Sequence, residues 1–253
     1  MQSKRNHFTH KNIRLYYKEA GKGSPLLFLP GALRVTAYAK NIEYLSAFYR
    51  VIALDLPGFG KSTTPNTVWG LEEYADFINV FIDHLHLRSV AVVGHSYGGG
   101  VGLYLAMQHK HIAKLMLFSP MGMRTKHTRL MFYWNVLVTK SLNDYFAMKS
   151  NHQRAIVFPK AISTVTQNLS GVKKILQITN KELYSQIPPQ QLAKITVPVK
   201  LLWARHDELF PPENGTYFHD HIHQSTLEII DGNHDWITTH PEESTEKIRE
   251  FIK

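Results

Sequence analysis

Cysteine is absent from the 253 residues. That excludes disulfides, thiolate nucleophiles and cysteine-ligated zinc, and it suits a reducing compartment without requiring one. Long apolar runs are missing as well. The opening residues, Met1 to His7, are polar and lead to no segment of signal-peptide type, and nothing reaches the roughly 20 apolar residues of a membrane span. A soluble, cytoplasmic protein is expected. No G-x-x-x-x-G-K-[ST] phosphate loop follows the glycines at 98–100, and no nucleic-acid reader motif accompanies the basic residues, so nucleic acid is not an expected partner. His206 beside Asp207 has neither a helical i, i+4 histidine partner nor a carboxylate cluster, and no metal site is expected there.

Acidic residues are in deficit, 20 Asp and Glu against 29 Lys and Arg. The deficit is local. Ten of the basic residues fall between 122 and 192 against only Asp144 and Glu182, whereas elsewhere 19 basic residues face 18 acidic ones. One segment therefore carries nearly the whole net charge of +9, as a separate structural unit with a basic outer surface would.

What remains is an alternation of short apolar runs with helix-period segments, the pattern of a mostly parallel sheet covered by helices. Strands are predicted at 25–29, 51–54, 90–93, 115–118, 199–203 and 227–230, with 13–18 in an antiparallel edge hairpin. Leu71, Tyr74, Ile78, Phe81 or Ile82, and Leu85 recur at helical spacing, and 241–253 reads as a terminal amphipathic helix opened by proline. The alternation breaks between Met121 and Ile195. This is the basic segment, and it is read as a helical cap over 121–195 inserted into a core of 1–120 and 196–253.

Chemistry centres on Gly94-His95-Ser96-Tyr97-Gly98, which an apolar run enters and a helix leaves. A strand that turns so sharply into a helix exposes the serine hydroxyl, with the glycines expected to avoid backbone collisions and to absorb the strained dihedral angles. A serine is a weak nucleophile at neutral pH and needs a base held in one tautomer by a carboxylate. Two further strands end in Ala204-Arg205-His206-Asp207 and Asp231-Gly232-Asn233-His234, which puts Asp207 and His234 at carboxyl ends, where open sheets gather reactive groups. The strand before the cap ends in Ser119-Pro120 and offers no acid. His95 is read as packing between loops, and Asp55 as tying down its own turn.

From about Ile13 onward the sequence resembles the α/β-hydrolase superfamily. The resemblance rests on Leu29-Pro30-Gly31-Ala32-Leu33, Asp55-Leu56-Pro57-Gly58-Phe59-Gly60-Lys61-Ser62, the elbow pentapeptide, Trp203 to Asp207 and Gly232-Asn233-His234, in family order. It implies an α/β-hydrolase fold with Ser96 as nucleophile, His234 as general acid and base, and Asp207 as the orienting carboxylate. It also implies oxyanion donors at the backbone N–H of Tyr97 and Ala32, with Leu33 as the alternative to Ala32. Loss of one such donor typically costs ~3 to 4 kcal/mol. Pro30 stands where the family usually has histidine and cannot donate from its nitrogen, so the hydrogen bonding of that loop must differ.

Serine at the elbow argues against the alkyl-ester mechanism of the superfamily's epoxide hydrolases and haloalkane dehalogenases. Acyl transfer remains, with no cofactor required. The expected substrate is a small ester with an apolar acyl part, chosen by analogy. Thioester, amide or carbon–carbon bond hydrolysis of a diketone-like substrate stays open, as does a slow or non-catalytic ligand-binding role. Phe132 and Trp134 in the apolar run 130–138 are candidate substrate contacts. That run reads either as a cover packed over the site with solvated lysines outside, or as a lid that meets anionic lipid or another acidic partner. The sequence does not define an oligomeric state.

Overall fold

The computed structural model describes residues 4–32, 35–108, 110–135, 177 and 181–253. An eight-stranded sheet has the order β1-β2-β4-β3-β5-β6-β7-β8. The strands are β1 (Lys4–His10), β2 (Ile13–Ala20), β3 (Pro25–Leu29), β4 (Arg50–Asp55), β5 (Val90–His95), β6 (Ile112–Phe118), β7 (Val199–Ala204) and β8 (Ser225–Ile230). The β1–β2 and β2–β4 pairs are antiparallel and every other pair is parallel. The predicted strands are all present, within three residues at their ends.

Pleating sends successive side chains to opposite faces, and both faces are covered. Leu27, Leu29, Ile52, Leu54, Val92, Leu115, Leu117, Leu201 and Trp203 pack with α2 (Leu71–His84) and α3 (Ser96–Gln108). Leu26, Phe28, Val51, Ala53, Val93, Met116, Phe118 and Leu202 face α1 (Ala39–Leu45) and the C-terminal helix, Pro241–Ile252. Helix α2 carries Leu71, Tyr74, Ala75, Ile78, Phe81 and Ile82 on its buried side, and Glu73 reaches back to the Gly70 N–H at 2.7 Å to close its first turn.

The expected edge hairpin is β1–β2, although the sequence pattern placed only its second strand. Apart from Phe8 the residues of β1 are polar, and a single outer strand needs only Phe8 to reach the core, while Arg5 suits an edge that must not pair with other chains.

The excursion between β6 and β7 begins and ends on the core. The Ser96 carbonyl accepts from the Met121 N–H at 2.9 Å, Gly122 O from Ile187 N at 2.9 Å, and Leu183 O from Thr125 N at 2.8 Å. Glu182 accepts from the Leu71 N–H at 3.2 Å, and Lys181 pairs with Glu73 at 2.6 Å, so the returning chain seats on the start of α2. Between these points a short helix, α4 (Arg129–Trp134), is capped by Thr128, and α5 (Pro189–Leu192) precedes β7. The rest of the predicted cap, 136–176 and 178–180, lies outside the described residues, as do Leu33 and Arg34. Among the described residues, no helix is long and apolar enough to cross a membrane.

Candidate active site

The elbow is where β5 ends at His95 and α3 starts at Ser96. Ser96 itself adopts φ 52°, in the left-handed region that costs a side-chain-bearing residue energy and that functional sites retain. The flanking glycines have a narrower role than the sequence suggests. Neither Gly94 nor Gly98 is at positive φ, so the dihedral strain sits on the serine. Both glycines are required by contact. A Cβ on Gly98 would lie 2.3 Å from Pro30 O and 2.4 Å from Leu29 O, and one on Gly94 would lie 2.8 Å from Gly99 Cα. The first turn of α3 thus rests directly on the exit of β3.

Asp207 follows β7 and His234 follows β8. One Asp207 oxygen accepts the N–H groups of Leu209 (2.9 Å) and Phe210 (2.8 Å), which fixes the carboxylate in its loop. The other meets His234 Nδ1 at 2.8 Å, with both side chains buried. A carboxylate can only accept, so Nδ1 carries the proton, and Nε2 presents a lone pair to Ser96 Oγ at 2.9 Å. The Phe210 ring stands edge-on to His234, with centroids 5.3 Å apart, and walls the imidazole from water.

On the β3 side, Gly31 N–H donates to Tyr38 Oη at 2.9 Å and Val35 N–H to Asp55 Oδ1 at 3.0 Å. Asp55 also accepts from Lys61 N–H at 3.2 Å, so it ties its own turn, as expected, and the β3 exit as well. Ala32 lies between these two tethered N–H groups. The Tyr97 N–H falls in the first turn of α3, where backbone donors have no intrahelical acceptor. The Tyr97 side chain turns inward beside Phe59 and Tyr74, where burial pushes its phenol well above the ordinary range.

Phe132 is 3% exposed and its ring centroid lies 6.3 Å from that of Phe210, one ring removed from His234. Trp134 is 62% exposed and is not brought to the site. Ring nitrogens of His95 and His234 and a carboxylate oxygen of Asp235 lie within 4.8 Å of one another, the one such grouping among the described residues that could hold a metal ion. All four ring nitrogens already have protein partners: Tyr38 and the His234 carbonyl for His95, Asp207 and Ser96 for His234. Both imidazoles are therefore engaged in hydrogen bonds within the protein.

Three nearby residues escaped the sequence reading. Phe210 and Tyr38 have only aromatic character to mark them. Glu208 had a signal, since it adjoins Asp207, but adjacent carboxylates at a strand end look like surface. It lies instead against the His234 loop, with Oε2 3.4 Å from the His234 N–H and Oε1 buried with no hydrogen-bond partner among the described residues. Burial is the largest influence on it and raises its carboxyl above the usual range.

With this geometry established, the family model described as alpha/beta hydrolase fold matches residues 24–191. The chain belongs to the alpha/beta hydrolase fold family and is a hydrolase of that fold. It is similar to the uncharacterized hydrolase YugF of Bacillus subtilis (strain 168), at 25% identity over 264 residues and 97% of each chain. It is also similar to 2-hydroxy-6-oxo-6-(2'-aminophenyl)hexa-2,4-dienoic acid hydrolase of Metapseudomonas resinovorans, at 26% identity over 95% of this chain and 88% of the relative. Among solved structures, a membrane phospholipase A described as a bacterial virulence factor superposes with a TM-score of 0.84 at 20% identity, over 99% of this chain and 86% of that one.

Two outcomes follow. Gly98→Ala places a methyl group against immovable backbone and should lower stability by about 2–3 kcal/mol, read from urea unfolding. For Glu208, a raised folded-state pKa means that folding favours the protonated form. The stabilisation is complete below the unfolded pKa and is lost as pH rises through the raised value. Glu208→Gln keeps an acceptor for His234 N–H without the charge. Its Tm should therefore match the wild type near pH 4 and exceed it increasingly toward pH 7; a constant difference across that range would contradict the assignment.

Proposed function

We propose that the chain is a serine hydrolase that works through an acyl-enzyme, with carboxylic esters bearing an apolar acyl part as substrates. The observation that carries this reading is the continuous line from Ser96 Oγ to His234 Nε2 and from Nδ1 to Asp207, both links under 3 Å. Ser96 Oγ attacks the carbonyl carbon as its proton passes to His234 Nε2. The resulting oxyanion faces the N–H groups of Tyr97 and Ala32. Collapse expels the alcohol, which takes the proton from His234, and water activated by the same nitrogen then releases the acid. Asp207 stays ionised and holds the imidazolium. Phe132 and Phe210 form the apolar wall for the acyl part, and residues 121–195 form the cap that selects it.

Carbon–carbon bond hydrolysis is the second reading, favoured by the similarity to the Metapseudomonas resinovorans hydrolase. The same serine and base would serve it, with a carbon leaving group protonated in place of an alcohol.

For the cap's outer side we propose contact with anionic lipid. Leu130 is 81% exposed, and it lines one open groove with Arg124, Lys126 and His127, joining apolar surface to positive charge.

A panel of p-nitrophenyl esters of increasing acyl length, tested beside a vinylogous 1,5-diketone, separates the two chemistries. Ser96→Ala should lose turnover and fluorophosphonate labelling, and Asp207→Asn should lower kcat by about 10⁴; near-normal turnover in either variant rejects the assigned roles. Sedimentation with phosphatidylglycerol vesicles should show binding that weakens from 50 to 500 mM salt, and equal binding to phosphatidylcholine would remove the lipid contact.

A further inference from the structure

Tyr38 and His95 form a buried polar chain that the proposed acyl transfer does not itself use. Gly31 N–H donates to Tyr38 Oη at 2.9 Å, Tyr38 Oη lies 2.7 Å from His95 Nδ1, and His95 Nε2 lies 3.0 Å from the His234 carbonyl. The directions follow from chemistry. A carbonyl only accepts, so His95 Nε2 carries the proton; in the neutral ring Nδ1 then accepts, and the tyrosine hydroxyl donates to it while receiving from Gly31. Each of these donors has its acceptor along one line, in a buried region where a broken link is costly.

The endpoints give the chain its meaning. Gly31 precedes Ala32 at the β3 exit, His95 precedes Ser96 at the elbow, and His234 carries the base at the β8 exit. The loops of oxyanion donor, nucleophile and base therefore meet at one imidazole. The contact is close: a Cβ on Gly31 would lie 3.2 Å from both His95 Nδ1 and Ser96 Cβ. Proline at position 30 leaves this loop without one donor, and the Tyr38 hydroxyl is what anchors the next N–H.

The geometry points to Tyr38 and His95 as positioning residues that fix the separation between the oxyanion donor at Ala32 and the base at His234, a role that rests on the proposed serine mechanism. Misplacing such groups by about 1 Å lowers reactivity by up to about 100-fold. Tyr38→Phe keeps the ring against Phe28 and His95 but removes the hydroxyl; His95→Phe removes both ring nitrogens, and His95→Gln restores a donor toward His234 O. Three quantities are measured on each variant and on the Tyr38→Phe/His95→Phe pair: the rate of Ser96 labelling by a fluorophosphonate, the Ki of phenylboronic acid, and Tm. Phenylboronic acid forms a tetrahedral adduct on serine and reports on the oxyanion site directly.

Expected are a labelling rate and boronate affinity that fall together by about 10-fold or more in Tyr38→Phe and His95→Phe, no further fall in the double variant, and partial recovery in His95→Gln. Ile82→Ala, a buried truncation on α2 in the core layer that does not include Tyr38, should lower Tm and leave both readouts unchanged. Wild-type labelling and affinity in Tyr38→Phe, or losses that simply multiply in the double variant, overturn the positioning role while leaving the serine mechanism intact. A wild-type chain that the fluorophosphonate does not label removes both.

Discussion

The close seating of α3 on the exit of β3 is the constraint from which the site is built. Because Gly98 has no side chain, the helix start can rest on the carbonyls of Pro30 and Leu29. That seating leaves the preceding turn no relaxed path, and Ser96 takes the left-handed conformation. The strain is held by what surrounds it: β5 is paired on both sides, α3 is buried between sheet and α2, and the Ser96 carbonyl is engaged by Met121. A serine in a relaxed turn could lie flat on the surface. Here its hydroxyl stands at the carboxyl edge of the sheet, at the level of the loops after β7 and β8.

Around that serine, polar groups are arranged so that each restricts the next. Two backbone donors orient Asp207, Asp207 sets the His234 tautomer, and the tautomer turns a lone pair toward Ser96. Phe210 belongs to the same loop that orients Asp207 and also shields the imidazole, so one short segment supplies both electrostatics and desolvation. Glu208 departs from this economy, with one carboxyl oxygen buried near His234 and, among the described residues, without a hydrogen-bond partner. Its raised proton affinity is the direct result of that burial.

How much of this could be read from residues alone depended on how local the physics was. The central strands were legible because buried parallel strands need unbroken apolar runs, as in Leu26 to Leu29 and Val90 to Val93. Ser96, Asp207 and His234 were marked by glycines and strand ends, and the structure brings all three within hydrogen-bond reach. The Tyr38–His95 chain had no such mark, because its partners stand 57 residues apart and only folding joins them. Strand β1 was hidden for the opposite reason: an edge is allowed to be polar. Of the two causes expected for the elbow glycines, backbone collision holds and dihedral strain does not, since that strain falls on Ser96.

The pair of backbone bonds at 122/187 and 125/183 gives the excursion between β6 and β7 the form of a neck. A chain that leaves and re-enters through one closed neck costs the core little more when it lengthens, about 0.6 kcal/mol for each doubling of a flexible loop. Whatever lies beyond such a neck can change in length and composition while the elbow, Asp207 and His234 keep their places. Insertion at this point of the chain is thereby uncoupled from the packing of the sheet and its covering helices.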